Sequence, residues 1–163
     1  MNRQSLQNTL ANQSGFTLVE VMVALAIFTI GILGVNAMQL AAIKGNATAN
    51  VISKATTWAS DRVEILTGLN YTDSDLDDAD GDGNTGLNDA ECCSDGNDPD
   101  GTAVTGCTAK ADGCEAQGTY SIYWNVAEDV TFPDIKNINV IVTKLDRGVP
   151  KSVTISYMKS NSL

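Results

Sequence analysis

The chain is predicted to be an α+β protein: one long N-terminal helix whose second half packs on an antiparallel β-sheet. Three observations carry this. Phe16 to Val35 reads FTLVEVMVALAIFTIGILGV, an apolar run with a single charge, Glu20. Beyond it, apolar residues recur at three- and four-residue steps, the period of an amphipathic helix. The C-terminal part alternates apolar and polar residues, the period of a strand with one buried face.

The helix comes first. At the helical rise the apolar run spans about 30 Å, the thickness of a bilayer's hydrocarbon. Val51, Ala55, Trp58 and Ile65, with Ile52, Ala59, Val63 and Leu66, continue it as one apolar stripe. Lys44, Lys54, Asp61, Arg62 and Glu64 mostly lie off that stripe. No proline precedes Pro99. One helix is therefore expected from Phe16 to Leu66, ending near Gly68, with a membrane or assembly half at 16–36 and a globular region at 37–163.

The strands follow. Tyr120, Ile122, Trp124 and Val126 share one face of the first; Ile138, Val140 and Val142 mark the second; Val153, Ile155 and Tyr157 mark the third. Asp146 to Pro150 has the chemistry of a hairpin turn. A three-stranded meander would bury one face on the amphipathic part of the helix, with Tyr120, Trp124 and Tyr157 in the core.

Composition narrows the function. The 163 residues carry 10 Lys and Arg against 20 Asp and Glu, a net charge of −10, and no histidine. So acidic a chain is not expected to bind nucleic acid, which needs clustered bases. Without histidine it lacks the commonest general base and every Ser-His or Cys-His pair, so no catalytic residue is assigned and an enzyme is not expected. Eleven of the acids fall between Asp73 and Asp100, where there is no Lys or Arg. They lie in a long segment, 70–117, with little apolar content. A loop of that length needs something to tie it down.

Two ties are available. Cys92, Cys93, Cys107 and Cys114 have no C-x-x-C spacing, and no histidine completes a zinc set. In an exported domain they should pair. A bridge between the adjacent Cys92 and Cys93 would be strained. Each is expected to bridge to Cys107 or Cys114, in either combination. The second tie is a cation. Asp78-Ala-Asp80-Gly-Asp82-Gly83-Asn84, ending at Asp89, fits the D-x-D-x-D-G frame of a calcium loop. Asp78, Asp80 and Asp82 would supply carboxylates, Gly83 the sharp turn, Asn84 its carbonyl, and Asp89 the closing ligand. The loop resembles the dockerin-type variant, which accepts aspartate at the last position. No amphipathic helix precedes it, so a lone structural calcium loop is expected, not a paired EF-hand. The run Asp95 to Gly101 is too irregular for a second site.

The N-terminus is the most specific segment. Its leader, MNRQSLQNTLANQSG, is polar, with Arg3 as its one basic side chain, and switches to apolar between Gly15 and Phe16. Glu20 is costly in an apolar helix, by about 2.5 kcal/mol or more when unpaired. Cutting the chain before Phe16 would create an α-amino group in the same layer, to which Glu20 of a neighbouring copy could pair.

Gly15-Phe16-Thr17-Leu18-Val19-Glu20, opening an apolar helix, resembles the prepilin cleavage and methylation motif of type IV pilins and type II secretion pseudopilins. The resemblance runs from the leader to the end of the helix and implies a pilin-like fold. By it, 1–15 is a leader, prepilin peptidase cuts between Gly15 and Phe16, Phe16 is N-methylated, and Glu20 guides docking among other pilin subunits through the N-terminal helix. It also implies a single pass of the bacterial inner membrane with a cytoplasmic N-terminus, then a place in a pilus at the cell surface. Glu20 to Leu25, then Gly31-Ile-Leu-Gly34 and Met38-Gln39, are similar to a minor pilin. Major pilins usually carry a proline where this chain has Ala37. A pseudopilin, or a membrane-anchored calcium-dependent binding module, is the alternative.

Overall fold

The computed structural model describes residues 15–129, 131, 132 and 134–161. The rest of the expected leader, 1–14, lies outside them. Helix α1 runs Leu18–Gly68, followed by strands β1 (Cys92–Cys93), β2 (Lys110–Ala111), β3 (Gly113–Gln117), β4 (Tyr120–Glu128), β5 (Ile135–Asp146) and β6 (Val149–Ser160). Two compact units part after Gly45.

In the first unit the helix begins where the sequence gives it a cap. Thr17 accepts a hydrogen bond from the Glu20 amide at 3.3 Å, and Glu20 lies in the first turn. Thr17 is thus a side-chain N-cap at the Thr-x-x-Glu spacing, with the Glu20 acid at the positive end of the helix dipole. Apolar side chains cover every side: Phe16, Leu18, Ile27, Phe28, Ile30 and Leu33 are all exposed. A helix apolar all round is one that a membrane or other helices must cover. Length and hydropathy, 2.5 over the best window, suit it to crossing a membrane.

The second unit packs the rest of α1 on a four-stranded antiparallel sheet of order β3-β4-β5-β6. Ala55, Ala59 and Leu66 from the helix meet Tyr120, Ile122, Trp124 and Val126 from β4 and Ile138, Val140 and Val142 from β5. Val153, Ile155 and Tyr157 complete that face from β6. The period-2 pattern therefore placed these residues correctly, aromatics included. Arg147 and Gly148 both take positive φ, 52° and 79°, in the two-residue β5–β6 turn. That is the backbone hand a tight hairpin requires.

Several expectations are corrected. Ile52 and Ile65 are exposed, 43% and 52%, because they flank the buried stripe instead of lying on it. Arg62 lies on the packed side: its guanidinium stacks 3.8 Å from the Trp124 ring and pairs with Glu115 at 3.0 Å. The sheet has four strands, since Gly113–Gln117 pairs with β4. Sequence patterning missed this strand because its side chains do not alternate in burial. Gly113 is needed there because the Trp124 indole lies where a Cβ would sit.

The other correction concerns the far face. Nearly all of β4 is buried, because residues before β3, among them Ala90 and Ala111, cover the side turned away from the helix. Ala111, Tyr123 and Ile141 form a second small core there, with Ala90 and Cys114 against it. Two lysines tie the ends together. Lys136, 4% exposed, donates to the Leu76 carbonyl at 2.7 Å and the Tyr71 carbonyl at 3.2 Å. Lys159 donates to the Thr67 carbonyl at 2.7 Å. A cation at the helix's last carbonyls complements its dipole.

Candidate functional site

Two regions carry the candidate residues. At the N-terminus, Gly15 and Phe16 precede the Thr17 cap and are exposed, and Phe16 is 83% accessible. The bond expected to be cut therefore lies just outside the helix. Glu20 is exposed on the first turn.

The second region is the acidic loop. Asp78, Asp80 and Asp82 come together so that one carboxylate oxygen from each lies within 4.8 Å of the others. The backbone brings this about. The Asp78 carboxylate accepts from the Gly81 amide at 2.8 Å and the Gly83 amide at 2.9 Å, curling the loop back on its first residue. Gly83 has φ +59°, the left-handed turn expected at that position. The Asp82 carboxylate occupies the place a Cβ on Gly86 would take. Asn84 lies in the 3₁₀ turn Gly83–Thr85. Asp89 stands outside the three-carboxylate group but shares a hydrogen bond with Asp82.

Burial and then the neighbouring Asp80, Asp89, Asp78 and Asp112 push the Asp82 carboxyl up to about 6. Burial, Asp80 and Glu91 likewise raise Asp89. Oxygen donors packed this closely suit a hard divalent cation, which takes six to eight oxygens.

Three residues that sequence reasoning did not assign hold the loop. Asp112 accepts from the amides of Ala79 at 2.6 Å, Asp80 at 3.4 Å and Val126 at 2.7 Å. Asn125, 2% exposed, donates its amide to the Asp89 carbonyl at 2.9 Å. Asn139 donates to the Leu87 carbonyl at 2.8 Å. The loop is thus pinned near both ends to the sheet. The available signal was weak: Asn125 and Asn139 are polar residues at strand positions, which a period-2 reading assigns to solvent, and Asp112 lies between two strands.

The cysteines pair as Cys92–Cys107 and Cys93–Cys114, with Cα separations of 6.2 and 5.5 Å. Each adjacent cysteine takes a different partner, as expected, and the structure supplies the combination left open.

A family model described as the prokaryotic N-terminal methylation motif matches residues 10–36. No curated protein and no solved structure gives a significant match. The match covers the Gly15–Phe16 boundary, Glu20 and the apolar half of α1, and below it the helix packs on an antiparallel sheet. Together, the matched motif and this α+β architecture support a type IV pilin-like protein that is processed by prepilin peptidase.

Proposed function

We propose that the chain is a minor pilin of a type IV pilus, of the kind called PilV, the type IV pilus modification protein. The observation that carries the reading is the Gly15–Phe16 boundary, set directly before a capped apolar helix inside the matched methylation motif. Ala37, where major pilins usually carry proline, favours a minor subunit over the main shaft subunit. Proteins with this motif are generally structural, so the role is in assembly and not in catalysis. The subunit waits in the inner membrane, held by α1 with its N-terminus cytoplasmic, and enters the pilus through the same helix. A type II secretion pseudopilin is the second reading, favoured by the same motif.

Mass spectrometry of the native protein tests this. The expected mature N-terminus is N-methylated Phe16, and Gly15→Val should leave the unprocessed precursor in the membrane. Normal maturation of that variant would overturn the reading.

The acidic loop is, on this reading, a structural calcium site with Asp78, Asp80, Asp82, the Asn84 carbonyl and Asp89 as ligands. Its support is the convergence of three carboxylates and the left-handed Gly83 turn. Calcium would offset the mutual repulsion of these acids and stabilise the folded state by mass action. Calorimetry should show a higher Tm in millimolar calcium than in chelator, with Asp80→Ala plus Asp82→Ala abolishing the difference. An unchanged transition would leave a merely acidic loop.

A further inference from the structure

One end of the second unit is basic, against the charge of the rest. The Tyr120 hydroxyl donates to the Val51 carbonyl at 3.5 Å, and Lys144 lies 4.5 Å from the Tyr120 ring. The first turns of this unit's helix, the start of β4 and the end of β5 therefore share one end, while Lys159 on the Thr67 carbonyl marks the other. Segments 46–58, 117–120 and 144–151 make up the basic end. They hold four of the eight Lys and Arg found from Asn46 onward: Lys54, Lys144, Arg147 and Lys151. Of the nineteen Asp and Glu found from Asn46 onward they hold one, Asp146.

The β5–β6 turn is the tip of this end. Lys144 is directly opposite Lys151, and Asp146 is opposite Val149, so Arg147 and Gly148 project beyond them. Like charges directly opposite on neighbouring strands destabilise a sheet. Lys136 and Lys159 are opposite each other too, but both donate to backbone carbonyls. Among the described residues, Lys144, Arg147 and Lys151 make no ion pair. The Tyr120 ring answers Lys144, and no anion of the fold answers the three together. Between these cations Leu145, Val149 and Pro150 are exposed. Exposed apolar groups set among cations suit the boundary of an anionic bilayer, where the apolar groups enter the interface and the cations meet headgroups.

The chain itself brings a bilayer near. It enters the second unit at Asn46, and only residues 37–45 separate that point from the apolar half at 16–36. Such a tether reaches no more than about 32 Å even when fully extended. A surface tethered so closely meets the membrane at high effective concentration, so a weak contact is enough. A bilayer is also a laterally mobile layer of anions and does not require its cations to be fixed in one geometry.

We propose that the β5–β6 turn, together with Lys54, docks on the anionic phospholipid surface of the membrane that α1 crosses. The proposal rests on the reading that the subunit waits in a membrane before assembly, and names the surface that the second unit turns to lipid there. The apolar tip enters the headgroup layer, and Lys144, Arg147 and Lys151 pair with lipid phosphates around it.

Hydrogen exchange of the full chain in lipid nanodiscs tests it, with one copy per disc so that no second copy can cover the turn. Discs of phosphatidylcholine alone are compared with discs of phosphatidylcholine and phosphatidylglycerol. Peptide 144–151 should exchange at least about three-fold more slowly in the anionic discs, and peptide 120–128 equally in both. The difference should vanish in about 0.5 M salt. Lys144→Gln with Arg147→Gln and Lys151→Gln should also remove it, unchanged exchange in 120–128 showing that the sheet is intact. Benzoylphenylalanine in place of exposed Val149 should give phospholipid adducts, several-fold more of them in anionic discs. Equal exchange of 144–151 in the two discs, protection that survives salt, or adducts only within the chain would overturn the proposal. The salt arm needs no variant, so misfolding of the triple variant cannot mask a failure. A chain that does not enter discs fails the membrane reading and the proposal together; one that enters, with 16–36 protected, and shows equal exchange at the turn fails the proposal alone.

Discussion

Asp112→Ala should loosen the acidic loop from the sheet, and the size of the effect follows from what its carboxylate holds. Three amides lose their acceptor. Those of Ala79 and Asp80 are at the surface and turn to water. Val126 is 1% exposed, so its N–H is left in the interior with no partner. One orphaned buried donor costs about 1–3 kcal/mol. Burial pushes the Asp112 carboxyl above its usual range against the lowering effect of those three amides, so part of the carboxylate's gain is already offset. The net loss should be about 2 kcal/mol, a fall in Tm of roughly 4–10 °C for a unit of this size. Asp112→Asn keeps one acceptor oxygen and should lose about half as much. Thermal unfolding of the full chain in detergent measures the loss, and hydrogen exchange at Ala79, Asp80 and Val126 locates it. A loss below about 0.5 kcal/mol, with unchanged exchange at those amides, would refute Asp112 as the tether.

Other predictions follow from separate parts of the molecule. Gly113→Ala drives a methyl into the Trp124 indole, which the Asp75 carbonyl and Arg62 hold in place; the expected cost is about 1–3 kcal/mol in thermal unfolding, and an unchanged Tm would show that the ring can move aside. Glu20→Val removes a costly charge, so membrane insertion should be kept or improved while entry into sheared pili falls; equal incorporation of variant and wild type would count against a docking role. Acid should release the Thr131 and Phe132 amides from the Asp129 carboxylate. The Thr131 and Phe132 amides hold the Asp129 carboxyl below its ordinary 3.8. Its stabilisation is present above that value and lost as pH falls through the lower folded value. Exchange at those two amides, corrected for intrinsic rates, should rise below about pH 3.8, and Asp129→Asn should remove most of that dependence.

The long-range plan was legible where period and burial agree. Helix α1 extends from Leu18 to Gly68 against an expected Phe16 to Leu66, and the helix-facing residues of β4, β5 and β6 are those the alternation marked. What stayed hidden depends on contacts between distant segments. Arg62 reads as a surface cation until Trp124 is brought beneath it. Gly113 to Gln117 reads as loop because its partner, β4, already alternates without it. The D-x-D-x-D-G spacing located three carboxylates that do converge. Nothing in that spacing pointed to Asp112, between β2 and β3, or to Asn125 and Asn139 on the strands, which fix the loop from positions far along the chain.

The Lys159 contact has a consequence for the order of events during synthesis. The carbonyls of Leu66 and Thr67 accept from a lysine 93 and 92 residues later, on the last strand. Synthesis runs from N- to C-terminus, so the apolar helix emerges long before its cap. Until β6 arrives, the far end of α1 lacks its cation, and the sheet edge beside β5 has no partner. The second unit therefore cannot reach its final form until β6 has been made. Any truncation that removes Lys159 should leave the last carbonyls of the helix without their cation, and limited proteolysis should then cut at that end of α1.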